Sequence, residues 1–270
     1  MTPIRDYLHY DEEMSKGMLD KLFFMDKVDA TVFLDYGCAD GALFEHINRM
    51  FPGSKFEYFG YDIDPKMIAA AEAKNIPDSM FSTELDILMD WVKLAQKSGQ
   101  KVCLVLSSVV HEVYSYCTED QIKEFWEFVN NSGFDYIALR DIICPDLDYG
   151  DTRENLERAI LRYADPKQLE DFQKIWGKFY QGSNAAHFLL KYRYTQNWER
   201  EVRENYFALE PFDFYCEVDR QKYDIDLEQT FVHPFISQQI KKDFNVDFNV
   251  ETHIKMIWAK DPYYWNKNEN

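Results

Sequence analysis

Acids flank a glycine turn near the start of the chain. Asp35 closes the apolar run Val32–Leu34, Gly37 and Gly41 follow with Asp40 between them, and Asp62 stands 21 residues beyond Gly41. Glycine permits a tight turn and lets a ligand approach the backbone. An acid at that remove accepts the two hydroxyls of a ribose in strand–turn–helix nucleoside sites. A dinucleotide site would add a third glycine and a helix N-terminus free for pyrophosphate. Here position 39 is alanine, and carboxylates at 35 and 40 repel a phosphate but suit an ammonium. The ligand class read from these residues is a nucleoside with a cationic amino-acid tail.

A second group follows the apolar run Val102–Leu106, where Ser107 leads to His111 and Glu112. A neutral imidazole can take a hydroxyl or amine proton, and Glu112 can orient it or bind a cationic acceptor. The alternative is a histidine that packs at the strand end beside a solvated glutamate. Tyr114 and Tyr116 read as wall residues. Asp141 at the end of the next strand either holds substrate or forms a structural ion pair. Cys38 reads as a small packing residue. No metal-ligand cluster is read, because His187, His233 and His253 are dispersed along the sequence.

These residues need a sheet to hold them. Strands are expected over Val32–Asp35, Phe56–Tyr61, Lys101–Ser108 and Tyr136–Asp141, each bounded by turn residues. Helices are expected over residues 6–29, Leu43–Met50, Lys66–Lys74 after Pro65, Ile87–Gln96 and Glu119–Asn130. Tyr7 or Tyr10 on the leading helix either covers the ligand or packs in the core. Strands alternating with helices build a parallel sheet, whose C-terminal edge is where ligands bind. The near-continuous apolar run after Lys101 marks the central strand. After Pro145 the pattern turns helical, with segments Arg153–Tyr163, Gln168–Tyr180 and Asn184 onward. The sheet is expected to resume as a hairpin of Phe244–Val250 and Thr252–Ala259, after a helix over Pro234–Asp243.

The acid before a glycine turn, the acid at 62 and the loop after the fourth strand, in register, resemble class I S-adenosylmethionine (SAM)-dependent methyltransferases. The resemblance covers residues 30–145 and 231–260; alanine at 39 replaces the middle glycine of the family's Gly-x-Gly-x-Gly turn, a change expected to matter little because alanine is nearly as small. It implies an α/β, Rossmann-like, mostly parallel sheet closed by an antiparallel hairpin, with a helical insertion before the last two strands. The expected division is 1–145 for the SAM-binding core, 146–230 for the insertion and 231–270 for the closing helix and hairpin. SAM is the implied cofactor: Gly37, Cys38, Ala39 and Gly41 form its turn, Asp35 and Asp40 serve the methionine end, Asp62 serves the ribose, and Ile63 beside it belongs to the same cofactor site. Asp86 takes the adenine amino group or else caps a helix, and Ser107 faces the methyl group. The family's clamp for nucleobase amino groups and its cysteine for cytosine carbon are both missing after the fourth strand.

From Phe172 through Trp198 no acid occurs, yet Lys174, Lys178, Lys191 and Arg193 alternate with aromatic residues. This stretch, Lys191, Arg193 and Trp198 in particular, is a candidate for stacking and phosphate binding by RNA or a nucleotide. The competing reading is a helical unit with an aromatic core and a solvated basic face. A net charge of −18 opposes a large polyanion, so the expected enzyme moves a methyl group to oxygen or nitrogen of a small molecule under a helical lid. RNA is the second reading and a non-catalytic partner-binding module the third. Five cysteines without a Cys-x-x-Cys, no run of 18 apolar residues and no signal-like N-terminus give a cytoplasmic expectation with no membrane contact.

Overall fold

The computed structural model describes residues 18–145, 151–179 and 182–264. Tyr7, Tyr10 and Tyr180 lie outside the described residues, as does the C-terminal tail. Of the expected leading helix only α1, Met18–Lys21, is described as helical; turns follow it through Lys27.

Seven strands form one sheet in the order β3-β2-β1-β4-β5-β7-β6. They are β1 Val32–Tyr36, β2 Glu57–Tyr61, β3 Ser79–Ser82, β4 Val102–Ser107, β5 Tyr136–Ile142, β6 Tyr223–Phe231 and β7 His253–Lys260. β1 to β5 pair in parallel and β7 runs antiparallel to both β5 and β6. This is the mostly parallel sheet with an antiparallel end that was expected. The helices between strands are α2 Ala42–Met50, α3 Pro65–Ala73, α4 Leu85–Lys97, α5 Val110–Tyr116 and α6 Glu119–Asn131.

Alternate residues of the central strands feed opposite faces, as the period of two requires. Val32, Leu34, Leu104 and Leu106 enter one core with α4 and α6, whereas Phe33, Cys103 and Val105 enter the other with α2 and α3. Covering both faces is why β4 reads as unbroken apolar sequence.

Beyond β5 lie α7 Asp151–Tyr163, α8 Pro166–Trp176, α9 Gly182–Lys191, α10 Trp198–Glu201 and α11 Pro211–Glu217. Asp165 starts α8 by accepting from the amides of Lys167 and Gln168 at 2.9 and 3.0 Å, with Pro166 preset at the first turn. Phe172, Phe179, Phe188 and Trp198 form a third core with Ile236, Ile240 and Phe244 of α12, Pro234–Phe244.

Two expectations about the chain's end are corrected. The sheet resumes at Tyr223, not at Phe244: Tyr223, Ile225 and Leu227 alternate with acids along the edge strand β6. Residues 245–250 form no strand. Asn245, at φ 50°, ends α12 in the left-handed conformation, and Phe248 and Val250 drop into the third core without pairing. The closing antiparallel pair is therefore β6 and β7, joined through α12. The segment after β4 is likewise not a loop, since α5 begins at Val110 and fixes His111 on its first turn.

Candidate active site

The main cleft, about 500 Å³, lies across the C-terminal ends of β1, β2 and β4. Asp35, Gly37, Cys38, Ala39, Asp40, Asp62, Ile63 and Ser107 all line it. Gly37 and Cys38 donate their amides to the Tyr61 carbonyl at 2.8 and 2.9 Å, which folds the turn back over β2. A side chain at Gly37 would meet Val109 at 2.6 Å, with φ at +84°. Gly41, the residue before α2, stands at φ +72° against the Phe81 ring and does not line the cleft.

Asp62 is the best-held acid of the cleft. One carboxylate oxygen accepts from the Ala39 amide at 2.9 Å and the other from the Asp64 amide at 2.8 Å. Burial raises its pKa while those amides pull it down. Beside it Ile63 is 65 % exposed, an apolar surface left open toward the cleft. Asp35 is buried and accepts from the Tyr58 hydroxyl; burial lifts its pKa to about 6 against that hydrogen bond. Burial and the neighbouring Asp35 and Asp62 raise the Cys38 thiol well above its usual range, so it stays protonated.

Other assignments move. Asp40 accepts from the Ala42 amide at 3.2 Å at the start of α2 and pairs with Lys74, so a cation already answers its charge. Asp86 sits exposed in the first turn of α4 and does not line the cleft. Tyr114 donates to Glu217 at 2.6 Å and accepts from Trp126 at 3.0 Å, away from the cleft. Ala39 adopts φ 47°, so the family's middle glycine is missed for its backbone freedom and not for its size.

A smaller polar pocket of about 70 Å³ adjoins the cleft, and Lys21, Ser108, Glu112 and Arg200 line both. His111 lies on its wall, 7 % exposed, with Nδ1 2.6 Å from Asp141 and Nε2 4.0 Å from Glu204. The orienting carboxylate is thus Asp141, not Glu112. Asp141 is fully buried and also receives the Val110 and Ile142 amides at 2.7 Å each, so it holds His111 and lines neither cavity. Burial opposes the imidazolium, yet Asp141, Glu204 and Glu112 outweigh it and lift the His111 pKa to about 9. A histidine protonated at neutral pH is not a ready base.

Glu112 pairs with Arg200 at 2.8 Å, and Arg200 also reaches Glu204 at 2.9 Å. Tyr116 donates to Glu204 at 2.9 Å and lines the main cleft. Burial, then the nearby Glu201 and Glu112, push Glu204 up to about 8. His111, Glu112 and Glu204 each bring one donor atom within 4.8 Å of the others. The Arg200 guanidinium already supplies the positive charge among these carboxylates. The distant histidines also meet in space, with the His233 and His253 rings 5.1 Å apart.

The basic-aromatic stretch divides. Arg193 lines the polar pocket. Lys191 is fully buried, donates to the Glu201 and Glu204 carbonyls and lies over the Tyr206 ring at 3.9 Å. Trp198 belongs to the third core and lines neither cavity. Phe172, Phe179, Phe188 and Trp198 of this stretch are core residues.

Lys21, Arg140, Arg200, Glu204 and Tyr206 went unread because each lies in an unremarkable local context and only the fold brings them together. The one available signal was Arg200 and Glu204 at a spacing of four, within reach on one helical turn.

No protein-family model and no curated protein sequence matches the chain. Solved structures do. The plantazolicin methyltransferase BamL, crystallised with a triazolic desmethylPZN analogue and SAH, is 11 % identical at a TM-score of 0.46, covering 94 % of this chain and 88 % of that one. PKMT2 from Rickettsia typhi is 11 % identical at 0.49, over 86 % and 48 %. The small RNA methyltransferase HEN1 is 12 % identical at 0.47, over 97 % and 26 %. At such identities and scores the likeness carries nothing about chemistry, and the case for a function rests on the cleft itself. Among the described residues no helix is long and apolar enough to cross a membrane.

Proposed function

We propose that the chain is a SAM-dependent methyltransferase acting on oxygen or nitrogen of a small-molecule acceptor. The observation that carries this reading is Asp62, its carboxylate fixed by two backbone amides beside the Gly37–Ala39 turn, with Ile63 open next to it in a cleft of nucleoside size. In this reading Asp62 accepts the ribose hydroxyls, Ile63 packs on the adenine, and Asp35 with the turn backbone faces the amino-acid end. Bound SAM supplies an electrophilic methyl group on a sulfonium; the protein's part is to orient the acceptor in line with it.

Residues 146–230 serve the acceptor side. Arg200 lines both cavities and Glu204 and Tyr206 line the polar pocket, so the helical region walls the place where an acceptor would meet the cleft. The reading in which residues 172–198 grip RNA loses its support with the burial of Phe172, Phe179, Phe188 and Trp198.

Calorimetric titration of SAM into the wild type and Asp62→Ala tests the proposal. The expected result is binding that the substitution weakens by ~10-fold or more, the scale of a hydrogen bond to a charged group. A folded wild type, free of copurified ligand, that does not bind SAM overturns it.

A further inference from the structure

The polar pocket beside the cleft has two ends of different charge. At one, Glu112, Glu201 and Glu204 surround Arg200. At the other stand Lys21, Arg140 and Arg193 with His233 and His253. Asp20 lies 3.0 Å from Arg140 and is shared with Lys255, and Asp35 and Asp141 also act on Lys21. Burial, and then the charge of Arg140, hold His233 down to about 4, with Arg193 and Lys255 acting the same way against the pull of Asp20. In a chain of net charge −18, this is a local concentration of cations, which focuses small anions.

Two polar side chains at this end are almost wholly buried. Lys21 is only 9 % exposed; burial and then Arg140 lower its pKa to about 8, against the pull of Asp35, Asp141 and Asp20. His233 Nδ1 is buried without a hydrogen bond. A buried ammonium is costly, and an entering anion would add a charge-assisted hydrogen bond. Lys21 and Ser108 also line the main cleft, and Ser108 receives a hydrogen bond from Arg140 at 2.8 Å. An anion held by Lys21 and Arg140 therefore sits at the edge of the cleft.

We propose that this pocket takes the carboxylate of a small organic acid and that the carboxylate is itself the methyl acceptor, giving a methyl ester. The proposal rests on the methyltransferase reading and names its substrate class. One carboxylate oxygen donates a lone pair to form the O–CH₃ bond while the S–CH₃ bond breaks and its electron pair returns to sulfur. The sulfonium becomes a neutral thioether, the carboxylate becomes a neutral ester, and no proton is released. No base is needed, in keeping with a His111 held as imidazolium between Asp141 and Glu204. The pocket volume of about 70 Å³ suits a carboxyl group with a short stem.

The test uses the whole protein, with acetate, butyrate, succinate, benzoate and inorganic phosphate as probes. Thermal unfolding reads binding, and transfer of labelled methyl from SAM reads chemistry. A carboxylate at tenfold excess over its Kd is expected to raise the unfolding midpoint by roughly 3 °C. The transferred label is expected to leave as methanol in mild alkali, as an ester does and an N-methyl group does not. Lys21→Met removes a buried charge and keeps the stem, with its own unfolding transition as the check that it folds; Arg193→Met is the second variant. Both should lower carboxylate affinity by tenfold or more, and Arg193→Met, which lines the polar pocket and not the main cleft, should change the SAM titration less than threefold. SAM binding without any carboxylate response overturns the acceptor assignment and leaves the methyltransferase reading standing. A response to phosphate equal to that of the carboxylates, or a base-stable methyl product, overturns it as well. Failure of SAM to bind the wild type overturns the methyltransferase reading and the ester step with it.

Discussion

Asp35, the turn and Asp62 come from 28 consecutive residues, a single strand–turn–helix–strand unit, and they line one side of the main cleft. The polar pocket that shares its wall gathers Lys21, Arg140, Arg200, Glu204 and His233 from across more than 200 residues. The first site is made largely of backbone: amides of Ala39 and Asp64 fix the acid, and the turn geometry follows from glycine. The second is made of charged side chains that neutralise one another, brought together by α5, β5 and the helical insertion. A backbone site tolerates changes around it and is sensitive at a few positions. A side-chain network is sensitive at each member, since removing one leaves others buried and unpaired.

That contrast predicts the largest effect at Arg200. Arg200→Met should cost about 3–5 kcal/mol, the scale of breaking a buried ion pair and leaving its partners uncompensated. Urea unfolding measures it. A loss below about 1 kcal/mol would mean that water reaches Glu112 and Glu204 and that the network is not buried in solution.

His111 gives the next effect, and its sign is fixed by the direction of its shift. Its folded pKa of about 9 lies above the ordinary imidazole value of about 6.5. The stabilisation from its charged form is therefore fully present below pH ~6.5 and is lost as pH rises toward 9. The advantage of the wild type over His111→Asn should fall across that window by a few kcal/mol, on the order of 3. The difference between the two proteins reports His111 together with Glu204, whose carboxylate lies 4.0 Å from the imidazole. A flat difference would mean a neutral imidazole and would restore the general-base role.

Asp62→Ala tests the other region. It leaves no buried charge and turns the part-buried Ala39 and Asp64 amides over to water in the cleft, so the expected cost to stability is about 1 kcal/mol while SAM binding weakens by about 2 kcal/mol, roughly 30-fold. Equal losses of stability and binding would erase the distinction drawn between the two sites.

The same distinction explains what the sequence made legible. Asp62 could be found because its relation to the turn is local, set by the length of one helix and one strand. The central strand declared itself because both its faces are covered, which leaves Val102–Leu106 apolar throughout. β6 carried a readable signal in the alternation of Tyr223, Ile225 and Leu227 with acids. It was absorbed into the insertion because Phe244–Val250 offers a similar alternation further on. There Phe248 and Val250 are apolar for a different reason, since they fill the third core as irregular chain. The aromatic residues of 172–198 suggested a stacking surface for the same reason: apolar periodicity reports burial and does not say against what. Glu112 follows His111 in sequence and so took the role of its orienting acid, yet α5 turns the two side chains to different partners. The distant Asp141 at the end of β5 then meets the imidazole.

The smallest predicted effect falls on the backbone itself. Ala39 adopts φ 47° between Gly37 and Gly41, in the left-handed region where a side chain costs about 1–2 kcal/mol. Glycine removes that strain but gains freedom in the unfolded chain, which offsets about 0.5–1 kcal/mol. Ala39→Gly should therefore stabilise by no more than about 1 kcal/mol. Because the Ala39 amide is a donor to Asp62, the substitution also probes whether the strained residue fixes the acid or merely accompanies it. If the turn is held by the Tyr61 carbonyl and by Asp62, affinity for SAM stays within about twofold, and stability alone rises. A clear loss of affinity with glycine would show that alanine stiffens the turn, and that some of the main cleft's preorganisation comes from a side chain after all.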